Sequence, residues 1–149
     1  MKADPDAEKE EYETLFYGIN GRIIIPYASW YRTNRLTGKP LAILREDLHC
    51  LGIERVAGNA EPEDHAAALC ETMALLCLNS DGDDTDSDQA AFFREHLEPW
   101  IESFFSDLSE STGSGFYRAV ANISRCFFRI ERDLHGLVPE NDRDEKEVQ

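Results

Sequence analysis

A chain of 149 residues that is 42% hydrophobic and 10% aromatic holds enough apolar side chain for one packed domain, which excludes a wholly disordered protein. Its formal charge of −15, with no broad basic footprint, excludes ordinary nucleic-acid binding. Three pieces carry the surplus: residues 1–14 have six acids against two bases, 80–88 five against none, and 137–149 five against two, leaving 14 acids against 11 bases elsewhere.

Such runs read as solvated tails and a linker. The expected organisation is therefore an acidic, partly helical segment at 1–14, a helical domain at 15–136 and an acidic disordered tail at 137–149. Residues 6–16 are rich in Glu and strong helix formers, which predicts a short first helix. Residues 17–39 differ in kind. Gly18, Gly21, Pro26 and Gly38 interrupt them and 22–25 is too short for more than a strand fragment, so a long aromatic-rich loop is expected between the first two helices. Pro40 suits the first turn of the next helix, where Leu41, Leu44, Leu48 and Leu51 share a face and Gly52 closes the end. Pro62 is read as opening another helix, with Glu63 and Asp64 near its positive end and a core stripe of Ala66, Leu69, Cys70, Met73, Leu76 and Cys77.

Ser87 is a plausible cap for a helix carrying Phe92, Phe93, His96 and Leu97. Pro99 must break that helix near Leu97, and a new one carries Trp100, Ile101, Phe104, Phe105 and Leu108. After a turn at 111–115, Ser114 can cap a last helix whose Phe116, Val120, Ile123, Phe127, Ile130 and Leu134 recur by four and three, as a core face does. Arg118, Arg125, Arg129 and Arg132 lie within about 60° of each other on its opposite side, a solvated face or else a phosphate site. Cys50, Cys70, Cys77 and Cys126 read as small buried hydrophobes in a reducing compartment. No leader opens the chain and no run nears the roughly 18 apolar residues of a spanning helix, so a cytoplasmic place is expected.

Catalytic chemistry finds little support. Cys70 and Cys77 are about 10 Å apart along a helix and no Cys or His pair has finger spacing, so no metal is expected. Phosphate loop, dinucleotide glycines and nucleophile elbow are absent from the sequence. An Asp64 and His65 acid-base pair is disfavoured, since adjacent helical residues point about 100° apart. Three clusters remain. Glu61-Pro62-Glu63-Asp64-His65 offers carboxylates that can take guanidinium groups in bidentate pairs, or simply cap a helix. Pro26-Tyr27-Ala28-Ser29-Trp30-Tyr31 holds rings that form either a groove or packing onto the helices. In Glu95-His96-Leu97-Glu98-Pro99-Trp100, Trp100 is read as core and His96 as a hydrogen-bonded core histidine.

In this order the clusters resemble the TorD/DmsD/NarJ family of maturation chaperones for molybdenum enzymes. The likeness runs through Leu15-Phe16-Tyr17-Gly18, the loop at 26–31, Lys39-Pro40-Leu41, Glu61-Pro62-Glu63-Asp64-His65, the His96-Leu97 and Pro99-Trp100 pairs, and Phe116-Tyr117. It implies an all-α helical bundle of the TorD-like type, with no catalysis and no cofactor of its own. It also implies a cytoplasmic chaperone that binds the twin-arginine signal, or another N-terminal segment, of a molybdopterin oxidoreductase precursor, assists cofactor insertion and delays export. An adaptor that kept the fold without binding a signal peptide is the alternative. By position, Tyr27, Ser29, Trp30 and Tyr31 with Glu61, Asp64 and His65 are implied as peptide-binding, and Pro62, His96, Pro99 and Trp100 as structural. Nucleic acid and membrane insertion are not implied. Family members usually begin with several more helices, which this chain lacks; exposed apolar faces would then favour a homodimer, domain-swapped in some relatives.

Overall fold

The computed structural model describes residues 5–18, 23–56, 58, 60–79, 83–111 and 115–136. Among these, seven helices follow one another without a strand: α1 (Pro5–Tyr17), α2 (Ala28–Thr33), α3 (Lys39–Cys50), α4 (Ala66–Leu78), α5 (Asp83–His96), α6 (Ile101–Glu110) and α7 (Phe116–Gly136). The all-α bundle expected from the sequence is the one formed. α7 lies against α6 and α5, α4 lies against α5, and α2 bridges α3 and α6.

Local chemistry sets several of the ends. Gly18 closes α1 at φ 72°, a left-handed conformation that a side chain disfavours, and a Cβ there would collide with Ile23. The chain then returns along α1, and the Ile24 amide donates to the Leu15 carbonyl at 2.9 Å. Pro40 sits in the first turn of α3, whose Leu41, Leu44 and Leu48 are buried as the spacing predicted.

The corner between α5 and α6 follows from Pro99. A proline has no amide to offer the carbonyl four residues back, and that Glu95 oxygen instead accepts from Arg32 Nη1 at 3.1 Å. The next carbonyl, of His96, accepts from the Trp100 indole Nε1 at 2.7 Å. Leu97, Trp100 and Ile101 at this corner are each 1% exposed. Proline thus ends α5 where expected, and both stranded acceptors are satisfied by side chains. His96 is buried and its Nε2 lies 2.8 Å from Asp47 Oδ2, tying α5 to α3. Burial pushes its imidazole below the usual value, against the opposing pull of the Asp47 carboxylate.

Several expectations are corrected. The aromatic stretch at 17–39 is not loop throughout, because it contains α2, and described residues 23–25 form no strand. Pro62 does not open a helix: 62–64 lie in a turn and α4 starts at Ala66 behind an N-cap at His65. α5 begins at Asp83, upstream of Ser87, so part of the acidic linker is helical. All four cysteines are exposed rather than buried; of the stripe expected on α4, Ala66 and Leu69 are buried and Met73 and Leu76 pack partly buried against the core, with Thr72 buried beside them.

The largest correction concerns α7. Phe116, Ile123, Phe127, Ile130 and Leu134, expected as its core face, are exposed; Ala121, Phe128 and His135 are buried. These three recur every seven residues, on a seam about 100° round the helix from the apolar stripe. On the far shoulder Arg132 pairs with Glu102 of α6 at 2.6 Å and with Glu98 at the α5–α6 corner at 3.5 Å, and Arg125 and Arg129 lie near enough to help hold the Glu102 carboxyl down. Acidic residues near the N-terminus also prove structural, since Glu11 accepts from the Tyr117 amide at 2.9 Å and caps α7. α1 itself runs through the boundary expected at 14/15. The Ser114 cap, residues 80–82 and the tail at 137–149 lie outside the described residues.

Candidate functional site

Two chain segments widely separated in sequence meet beside α4. Ala28 N–H donates to the Asp64 carbonyl at 3.0 Å and Ala66 N–H to the Pro26 carbonyl at 2.9 Å, so Tyr27 and His65 sit opposite each other in an antiparallel bridge. Asp64 is 1% exposed, and its Oδ2 accepts from the Ser29 amide at 2.9 Å. That amide is one of the unpaired donors in the first turn of α2, so Asp64 caps this short helix from across the fold. Its Oδ1 has no hydrogen-bond partner among the described residues. Ser29 is wholly buried, and its Oγ accepts from the Thr37 amide at 3.0 Å.

The residues beside Asp64 have other roles. His65 Nδ1 accepts from the Ala67 amide at 3.1 Å, capping α4, which requires the neutral ring; burial lowers its imidazole in that sense, against the neighbouring Glu61 and Asp64. Glu63 accepts from Arg45 Nη2 at 2.8 Å and lies 3.6 Å from Arg55 Nη1. Partial burial works against its charge, but the Arg45 bond and both guanidinium groups hold it below the usual carboxylate range.

A cavity of about 560 Å³ opens over this junction. Tyr12, Phe16 and Tyr17 of α1 form one wall, Tyr27 and His65 another, and Tyr117 of α7 a third, with Phe104, Phe105 and Leu108 beneath. Glu61 stands at its edge as the carboxylate of the lining. The rings hold each other: Tyr27 meets His65 edge to face at 5.1 Å, and Phe16 meets Tyr117 at 5.5 Å. Burial and the adjacent Tyr17 raise the Tyr12 phenol, and burial with Tyr12 raises that of Tyr117, so both remain protonated hydrogen-bonding groups. An apolar, ring-walled opening with one acid at its edge fits a ligand that is cationic at one point and greasy beyond it.

Of the residues singled out in the sequence, Tyr27, Glu61 and His65 line this cavity. Ser29 and Asp64 lie behind it as buried supports. Trp30 is half-buried on α2, away from the cavity. Tyr31 packs on Trp100 at 5.6 Å, and its hydroxyl donates to Asp107 Oδ2 at 3.0 Å. Tyr12, Phe16, Tyr17 and Tyr117 were not singled out as binding residues, although Phe16, Tyr17 and Tyr117 stand in the motifs that carry the resemblance. Tyr12 and Phe16 at helical spacing, one turn apart on a helix otherwise rich in charge, were the available signal. Among the described residues no three His, Cys, Asp or Glu side chains converge as metal ligands would, and no helix is long and apolar enough to cross a membrane.

Comparison with known proteins identifies the lineage. The profile of the nitrate reductase delta subunit family matches residues 1–106. The chaperone protein TorD of Vibrio cholerae is 30% identical over 143 residues, covering 89% of this chain and 64% of that relative. TorD of Aliivibrio salmonicida is 28% identical over 143 residues, covering 88% and 66%. TorD of Shewanella pealeana is 31% identical over 73 residues, covering 49% and 31%. The chain thus spans just under two thirds of the length of the first of these curated relatives. With well over half of its residues matched by that profile and TorD proteins aligned along most of its length, the chain belongs to the nitrate reductase delta subunit family, the NarJ and TorD group.

Proposed function

We propose that the chain is a non-catalytic, cytoplasmic maturation chaperone that holds the N-terminal signal of a molybdopterin oxidoreductase precursor while its cofactor is inserted, and so delays export. One observation carries the reading: the ring-walled cavity at the Tyr27 and His65 bridge, with Glu61 at its edge. A twin-arginine signal presents guanidinium groups followed by apolar residues. Glu61 supplies a charge-assisted acceptor for the former, and Tyr12, Tyr17 and Tyr27 supply contact area for the latter at low entropic cost. Asp64 acts at one remove, holding α2 and hence the Tyr27 side of the wall.

Calorimetry with a synthetic twin-arginine leader tests this. Glu61→Gln should weaken binding by about 1.5–3 kcal/mol, the usual worth of a hydrogen bond to a charged group. Unchanged affinity would remove Glu61 from the site, and an arginine-free leader that binds equally well would leave only a nonspecific apolar surface.

A further inference from the structure

The ring-walled cavity has a continuation that the function above does not use. Its α4 wall is the first turn, Ala66 and Ala67, and its α7 wall includes Tyr117 and Val120. A second cavity of about 270 Å³ is walled by later turns of the same two helices, with Cys70, Ala74 and Cys77 facing Phe127 over a floor of Phe93 and Leu97. Both openings thus lie between α4 and α7, one near the start of each helix and one further along, a line called the furrow below. Small side chains on the α4 bank leave room for a helix to come close. α4 is apolar on nearly every side, a pattern that belongs to a covered helix, yet Cys70, Ala74 and Cys77, which line this second cavity, are exposed, as is Phe127 across it on α7.

Length and charge say what fits. From Tyr117 to Glu131, the α7 residues that line the two cavities, the helix rises about 21 Å, which a bound helix of about 14 residues would span. Export leaders carry an apolar stretch of about 7–15 residues behind a cationic start. Both ends hold an acid: Glu131 lines the far cavity, 3.3 Å from His135 Nε2, while Glu61 lines the aromatic one, where Glu8 and Glu11 lie near enough to help raise the Tyr117 phenol, so the aromatic end is the more negative.

We propose that the cavity and the furrow form one track, in which the apolar stretch of the leader lies as a helix between α4 and α7 with its cationic end at Glu61. This rests on the chaperone reading and adds where the apolar stretch lies and which way it runs.

Two labelled synthetic peptides test it by fluorescence anisotropy, each opening with an arginine pair and continuing with a run of about 14 residues, Leu-Ala in one and Gly-Ser in the other. Ala74→Trp fills the furrow from an exposed position, and Phe127→Glu charges the opposite bank. Both should weaken the Leu-Ala peptide at least tenfold and leave the Gly-Ser peptide within twofold, with helicity by circular dichroism unchanged. Glu61→Gln should weaken both peptides. If Glu61→Gln weakens the Leu-Ala peptide while neither furrow variant does, the track is wrong and the chaperone reading stands. If neither peptide binds the wild-type chain, both fall. Light scattering on the same samples that finds a dimer, dissociated by Phe127→Glu, would place a second copy in the furrow and overturn the track.

Discussion

The α5–α6 corner and the outer shoulder of α7 are written in the same alphabet and end in opposite environments. Leu97, Trp100 and Ile101 at the corner are each 1% exposed, whereas Ile123, Phe127 and Ile130 on the shoulder are 71%, 53% and 59% exposed. Both stretches place large apolar residues at helical spacing. Periodicity says which residues share a face, but a face is buried only if another element comes to cover it. At the corner, Pro99 folds α6 back so that neighbours in sequence cover one another. α7 has no such device on its shoulder, and its seam of Ala121, Phe128 and His135 takes the packing instead.

The sharpest way to break that contrast is at the corner. Trp100→Ala removes a buried ring together with its hydrogen bond to the His96 carbonyl, and should cost about 3–5 kcal/mol in chemical denaturation. A loss below about 1 kcal/mol would place the corner with ordinary surface positions. Next in size is Asp64→Ala. It leaves the first turn of α2 without its acceptor, so the expected loss is about 1–2 kcal/mol, while Asp64→Asn, which keeps an oxygen for Ser29, should lose less. Equal losses in the two variants would show that the carboxylate charge, and not the cap, is what α2 needs.

The reach of sequence reading follows from how far apart the interacting groups are. Pro99 acts on carbonyls within its own turn, so the break after His96 and the burial of Trp100 were legible. Asp64 meets Ser29 across 35 residues and Glu11 meets Tyr117 across 106, and no local pattern announces either pairing. Pro62 misled for a related reason. It fits a helix start, but the bridge to residues 26–28 claims the backbone at 64–66 and delays α4 to Ala66. The aromatic wall was half legible: Tyr27 stood in a recognisable cluster, while Tyr12 and Phe16 join it through contacts that span the chain, Glu11 with the start of α7 and Phe16 with Tyr117.

A smaller effect separates the corner by pH. His96 is buried with its imidazole pushed below the usual value, while an unfolded chain would take up a proton near pH 6.5. Between pH 7.5 and 5.5 the unfolded state therefore binds more protons at this residue, and stability falls as pH falls. His65, lowered by burial, contributes with the same sign. Melting temperature should drop across that interval in the wild type and drop less in His96→Gln. A steeper drop in the variant would mean that Asp47 stabilises a charged His96 in the fold.

The smallest expected effect bears on the shoulder itself. Ile123→Ser replaces an apolar side chain that is already 71% in water, so folding hides little of it and its loss should change stability by no more than about 0.5 kcal/mol. Sedimentation across a hundredfold range of concentration should find the same mass for wild type and variant. If the variant instead lost 2 kcal/mol or more, or converted a dimer to a monomer, Ile123 would be a covered residue, and the contrast with the corner would reduce to which polypeptide supplies the cover. A shoulder that stays open in the resting protein, apolar and tolerant of serine, is the condition under which an incoming segment gains by lying on it.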